Sequence, residues 1–242
     1  MSRQNTYRIV PLGDTAVIVD FGNCIDEAVN KKVISLFHFL NKKPLYGMIE
    51  VVPAYSSLVV YYNVLAVKEN NHMEPVFDVV KNKLEEILQQ AFEESDNNTR
   101  LIKIPVYYNG DDLEFISKEK NISIEDIIQI HSATIYNVYM LGFLPGFPYM
   151  GKVDERIAMP RRQQPRLKVK GGSVGIAGIQ TGIYSLESPG GWQIIGHTPL
   201  KLFKASHKPS PKERAFEESE CLLQPGDKVK FYSISNNEFE NY

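Results

Sequence analysis

Three arginines stand close together in the segment MPRRQQPR: Arg161, Arg162 and Arg166. Pro160 and Pro165 restrict φ within it, so the loop is stiffer than its polarity suggests. A guanidinium is a planar fork of donors that meets a carboxylate or a phosphate with two contacts at once. One arginine alone reads equally well as a solvated charge. Three beside a glycine-rich turn tilt the reading toward anion binding. Downstream, GIQTG offers Gln180 and Thr181 as polar groups, with Gly178 letting the backbone come close to a ligand. Among the histidines, His197 has the most site-like surroundings, between Gly196 and Thr198 where a strand ends. Imidazole titrates near neutral pH, so it is a candidate for moving a proton.

Other chemistries are excluded by spacing. KGGSVGIAG lacks the Gly-Lys-Ser/Thr ending of a phosphate loop and is not GxGxxG leading into a helix. No HxxH, HExxH or CxxC occurs, so no metal site is expected. Ser173 and Ser188 lie outside any GxSxG elbow. Cys24 and Cys221, the only cysteines, read as buried structural thiols. Trp192 reads as an aromatic plug in preference to a ligand-stacking surface. GFLPGFPYMG sets Phe143, Phe147 and Tyr149 around Pro145 and Pro148. Such a loop suits a protein contact or a packed core loop about equally.

Positioning these residues takes two kinds of structure. Tyr7–Val10 and Ala16–Phe21 read as strands, then Asp26–Asn41 as an amphipathic helix with Val29, Val33, Leu36, Phe37 and Leu40 on one face. Ile49–Pro53 and Leu58–Tyr62 read as strands, followed by a second helix from about Glu74 to Glu94 and a strand over Leu101–Tyr108. Helices covering one face of a small mixed sheet make an α/β sandwich. DDLEFISKEK reads as a short helix, and Ser123 caps another with Asp126. After Ala133 the pattern changes to short strands with Gly and Pro punctuation, as in a small closed or nearly closed β-barrel. Eleven of the 16 glycines fall between Leu141 and Phe203. The final strand follows the turn in QPGDKVKFYSI, and Ser235–Tyr242 reads as a frayed tail. The expectation is an α+β chain with an N-terminal α/β domain over 1–98 and a β-barrel domain over 99–242.

The bulk numbers narrow the function classes. The chain has 242 residues and a formal charge of −2, which argues against a general nucleic-acid binder. No apolar run approaches the roughly 18 residues of a membrane span, and MSRQNTYRIV has no apolar signal core. A cytoplasmic protein is the expectation.

Several long segments carry a resemblance. YNVYMLGFLPGFPYMG, MPRRQQPR, GGSVGIAGIQTGIYSLESPGGWQIIG and QPGDKVKF, with the early PLGDTAVIVDFG, are similar to the family of the 5-oxoprolinase B subunit. That family is also known as allophanate hydrolase subunit 1 and includes the histidine kinase inhibitor KipI. It resembles part of the urea carboxylase carboxyltransferase domain. The resemblance covers essentially the whole chain. It implies a cyclophilin-like barrel after the N-terminal domain. It also implies a partner, the C subunit of 5-oxoprolinase, with which the chain acts on 5-oxoproline and ATP beside the A subunit. The KipI branch implies a different partner, a sensor histidine kinase whose autophosphorylation is blocked. Carboxyl transfer is a weaker option, because no biotinylation motif is present.

For lactam opening, His197, Gln180 and Arg166 are the expected catalytic groups. Arg161, Arg162, Gly178, Thr181 and Ser188 are expected to bind substrate or anion, and Phe143, Phe147 and Tyr149 to meet a partner. ATP would be shared with the partner subunits. The chain departs from the family pattern at His197, where an arginine is expected, and at Lys204-Ala205, where Asp-Pro is expected.

Overall fold

The structure, a computed structural model, describes residues 7–70, 73–89, 99–205 and 221–242. Two compact units divide the chain, Met1–Asn98 and Thr99–Tyr242.

In the first unit, strands β1 (Arg8–Pro11), β2 (Ala16–Asp20), β3 (Met48–Pro53) and β4 (Ser57–Tyr62) form an antiparallel sheet in the order β1-β2-β4-β3. Helix α1 (Glu27–Lys42) is capped by Asp26, whose carboxylate accepts from the Val29 amide. A short helix α2 (Val64–Glu69) follows β4, and α3 (Val76–Gln89) follows it. Strand alternation turns Val17, Val19, Leu58 and Val60 to one face, where they meet Val33, Leu36 and Leu40 of α1 and Leu84 of α3. The helix expected to run to Glu94 is described to Gln89, and residues 90–94 lie outside the described residues. Cys24 is exposed, against the expectation of a buried thiol.

The second unit is a mixed α/β structure around a seven-stranded sheet. It contains β5 (Leu101–Val106), α4 (Leu113–Lys120), α5 (Ile124–Ala133), β6 (Ile135–Leu141), β7 (Pro148–Gly151), β8 (Arg166–Val169), β9 (Ser173–Ala177), β10 (Gln180–Ile183), β11 (Ser188–Gly190), β12 (Gln193–His197), β13 (Lys228–Ser233) and α6 (Asn236–Glu240). The large sheet runs β12-β9-β10-β7-β6-β13-β5, with only β13 and β5 parallel. β8 and β11 form a separate two-stranded arm.

The sheet curls until its two edges meet. Tyr107, just beyond β5, and His197 of β12 exchange both backbone hydrogen bonds at 2.9 Å, and the Gly110 and Asp112 amides then donate to the Ile195 and Ile194 carbonyls. Gly196 permits this approach: a Cβ there would lie 2.7 Å from the Tyr107 carbonyl oxygen. Closure carries Asp112 alongside Ile194, 82 residues later.

Inside the curl, Ile104, Tyr136, Val138, Ile176, Ile183 and Phe231 are buried. Helix α5, capped at Asp126 by Ser123 as expected, brings His131 into the same interior. The tail is not frayed. Ser235 and Glu238 close a capping box at the start of α6, and Phe239 lies 5.9 Å from the Tyr107 ring.

Candidate functional site

The three arginines converge on one buried carboxylate and one indole. Asp112 is almost fully buried, with its side chain 3% exposed. Its Oδ1 accepts from Arg162 Nη1 at 2.7 Å and from Arg166 Nη2 at 2.8 Å. Its Oδ2 accepts from Arg166 Nη2 at 2.8 Å and from the Ile194 amide at 2.6 Å. A buried carboxylate left unpaired would be strongly unfavourable, and these four contacts compensate it. Arg166 also donates to the Trp192 carbonyl at 3.4 Å. Arg162 and Arg166 are therefore partly neutralised, and their donors are partly engaged. The sequence alone presents them as open anion ligands and gives no sign of Asp112, which looks like a residue at a helix start.

Arg161 differs. Its guanidinium lies over the Trp192 ring, 5.9 Å from the centroid, and it has no carboxylate partner among the described residues. The backbone on both sides of it is laced to the segment that carries Trp192 into β12. The Arg162 amide donates to the Gly191 carbonyl at 2.7 Å, and Gln193 Nε2 donates to the Pro160 carbonyl at 3.0 Å. That lacing sets the direction of the Arg161 side chain. Gln193 is buried, and its Oε1 has no hydrogen-bond partner among the described residues.

Trp192 rests on the outer face of the sheet in a slot left by glycine. A Cβ on Gly182 would come within 3.0 Å of Trp192 Cζ3 and 3.1 Å of Phe147 Cζ. Phe147 and Tyr149 meet the indole edge-on at 5.4 and 5.9 Å, and Tyr184 packs edge-on against Phe147 at 5.3 Å. Burial raises the Tyr149 and Tyr184 hydroxyls above the usual tyrosine range, against the opposing pull of Arg161 on both.

The remaining sequence-predicted residues divide. Gln180 shares the outer face with Gly182 and Tyr149, because residues two apart on β10 point the same way and Tyr149 pairs with Gly182. Gly178, at φ 61°, opens onto free space next to the Met159 bridge. Ser188 sits in the two-stranded arm and donates to its neighbour's carbonyl. Thr181 points the other way. It is fully buried and donates to the Gly175 carbonyl at 3.0 Å, so it presents nothing to a surface ligand.

Thr181 also fixes the tautomer of His131. With its hydroxyl proton committed, Thr181 Oγ1 accepts from His131 Nε2 at 3.0 Å, and Tyr108 donates to Nδ1 at 2.9 Å. Phe231 stacks on the ring at 4.7 Å, and burial lowers the His131 pKa to about 3. His131 is thus a neutral part of the core.

His197 is not with the arginines. It lies five residues along the chain from Trp192, which immediately precedes β12, about 16 Å at the usual strand rise. Its Nδ1 contacts Asn109 Oδ1 at 2.8 Å. Burial lowers its pKa, Lys170 adds to that, and Asp111 opposes it.

Phe147, expected at a partner surface, is 1% exposed and belongs to the aromatic core. Phe143 alone of that trio projects outward, 62% exposed, and it holds a left-handed φ of 67°. A cleft of about 490 Å³ lies elsewhere, lined by Asp126, Gln129, Thr134, Asp154 and Arg156 among others, and none of the sequence-predicted residues faces it. No cluster of metal-ligating side chains occurs among the described residues. No described helix is long and apolar enough to cross a membrane.

The curled seven-stranded sheet with its few helices is a mixed α/β module. The chain belongs to the family described as carboxyltransferase domain, subdomain C and D, which matches residues 7–212. It is 42% identical to the 5-oxoprolinase B subunit of Bacillus subtilis, over 98% of this chain and 96% of that protein. It is 36% identical to the protein of the same name in Escherichia coli, over 96% of each. Among solved structures it is similar to TTHA0988, with a TM-score of 0.75 and 31% identity over 91% of this chain. It spans only 40% of that chain.

Proposed function

We propose that this chain is the B subunit of an ATP-dependent 5-oxoprolinase, working with the A and C subunits to convert 5-oxo-L-proline to L-glutamate. The observation that carries the reading is the near-full-length similarity to proteins that bear the name of the 5-oxoprolinase B subunit. The geometry supports it. The substrate is a small ring with a carboxylate and a cyclic amide. The outer face around Trp192 offers a guanidinium for the first, and Gln180, on the same face, offers an amide for the second. In this reading the curled sheet is a cyclophilin-like barrel, and the meeting of its edges at Tyr107 and His197 favours that type.

ATP acts as co-substrate, shared with the partner subunits. It supplies the phosphoryl group that turns the lactam oxygen into a leaving group. The glycines of GGSVGIAG do not form a phosphate cradle, because Ser173–Ala177 is a buried strand of the sheet. The groups on this chain suited to an anion are Arg161 and the outward side of Arg162, whose side chain is 38% exposed. The γ-phosphoryl passes to the lactam oxygen as ADP leaves. One water then adds its hydroxyl to the activated carbon, and the ring C–N bond breaks with a proton going to the nitrogen. A second water releases phosphate from the acyl phosphate so formed, so that 5-oxoproline, ATP and two waters give glutamate, ADP and phosphate. His197 stands too far along its strand to share a small substrate with Arg161, and proton transfer at the ring is left to the partner subunits.

Glutamate release from 5-oxoproline and ATP by the co-purified A, B and C subunits tests the proposal. Release that is the same with and without this chain would end it. A second reading, inhibition of a sensor histidine kinase, draws support from Phe143, an exposed aromatic held in a left-handed backbone conformation. An autophosphorylation assay with this chain in micromolar excess decides it: undiminished kinase activity removes the reading.

A further inference from the structure

The geometry points to Arg161 as the residue that selects for a carboxylate on the substrate, with Arg162 and Arg166 serving as its charged support. This deepens the 5-oxoprolinase reading and rests on it. The three guanidiniums are adjacent in sequence but unequal in structure. Arg166 gives its donors to both oxygens of Asp112 and to the Trp192 carbonyl. Arg162 gives Nη1 to the same carboxylate. Asp112 thereby removes one unit of positive charge from that pair and ties down their geometry. Among the described residues, no carboxylate takes up the fork of Arg161.

The fork is also held in place. Hydrogen bonds on both flanks, the Arg162 amide to the Gly191 carbonyl and the Gln193 side-chain amide to the Pro160 carbonyl, tie residues 160–162 to residues 191–193. Pro160 restricts the approach, and the indole face limits how far the side chain swings. A flexible arginine loses rotamer freedom on binding an anion, whereas one already laid across a ring loses less. The long axis of a ligand gripped there runs along the sheet face shared by Tyr149 and Gln180. Gly182, under the indole, is two residues from Gln180, or about 7 Å at the usual rise. A lactam without a carboxylate lacks the group that Arg161 recognises.

Trp192 is the only tryptophan, so its emission reports this site without a label. The full chain is titrated with 5-oxoproline and with 2-pyrrolidone, the same ring lacking the carboxylate, following Trp192 fluorescence. The wild-type chain is expected to respond saturably to 5-oxoproline and at least tenfold more weakly to pyrrolidone. Arg161→Gln is expected to abolish that preference, and Arg161→Lys to restore part of it. Arg156→Gln, whose guanidinium pairs with Asp154 on another surface, leaves the preference intact. In the complex of A, B and C subunits, Arg161→Gln raises KM for 5-oxoproline at least tenfold, with a smaller change in kcat.

Equal responses to the two ligands, or an unchanged preference in Arg161→Gln, overturn the inference. Absence of glutamate release by the wild-type complex counts against the oxoprolinase reading, while the fluorescence titration still decides the role of Arg161.

Discussion

Stability should fall steeply with acid in this protein, and one imidazole should be responsible for a defined part of the fall. His131 is enclosed by Tyr108, Thr181, Tyr136 and Phe231, with both nitrogens engaged as a neutral ring. Protonation would put a second proton on Nδ1, facing the Tyr108 hydroxyl that now donates to it. Burial lowers the folded-state pKa from 6.5 to about 3. Between those values the unfolded chain binds the extra proton and the folded chain does not, so stability rises with pH across that window and is lost as pH falls.

Each unit of pH below 6.5 removes up to about 1.4 kcal/mol, which comes to about 2 kcal/mol between pH 7.5 and pH 5. Carboxylates held below their ordinary values, such as Asp20 and Glu238, lose their contribution below this range. His197 is also lowered and adds slope of the same sign, but it is present in any His131 variant and cancels in the difference. The assay is urea unfolding of wild type and His131→Gln at pH 7.5, 6.5, 5.7 and 5.0. The variant, less stable at pH 7.5, should lose about 2 kcal/mol less than wild type over the series. Parallel profiles would refute the reasoning, because they would mean that His131 takes up its proton without unfolding.

Three further outcomes are expected. Asp112→Ala leaves two arginines and the Ile194 amide without their acceptor and should destabilise the chain by about 3 kcal/mol, the low end for a buried pair because Arg162 and Arg166 keep some solvent contact; chemical denaturation measures it. Gly182→Ala drives a methyl group against Trp192, Phe147 and the Pro148 carbonyl; it should cost about 1–3 kcal/mol and shift Trp192 emission at neutral pH. Cys24, exposed in the first unit, should react with a thiol reagent in the native protein at a rate close to that of a free thiol, and a rate seen only after unfolding would contradict the structure.

Short-range features are readable from the chain. Helices α1 and α3 and the Ser123 cap of α5 follow from periodicity and capping chemistry, which depend on residues within a few positions of each other, although Asp26, read as the first residue of α1, is its cap. Two short helices escape a reading by periodicity, although their capping signals are present. Asn63 accepts from the Leu65 and Ala66 amides at the start of α2, and Ser235 with Glu238 spells a capping box in the tail. The arginine cluster is also legible, since its members are neighbours in sequence and the loop between the prolines keeps them together.

What each arginine does was decided only by the folded sheet. Asp112 lies 50 residues from Arg162 and 54 from Arg166, and it reaches them because the two sheet edges meet at Tyr107 and His197. Nothing local to NGDDL announces that closure. His197 ends β12 while Trp192 precedes its start, so five residues, about 16 Å of extended strand, separate the histidine from the indole under Arg161. Strand alternation sends Gln180 outward and Thr181 inward, a distinction invisible until the pairing register settles which face is buried. Local order along the backbone made the elements and gathered the charges. Long-range pairing assigned them different partners, because a carboxylate removed from water must find its cations wherever the sheet brings them.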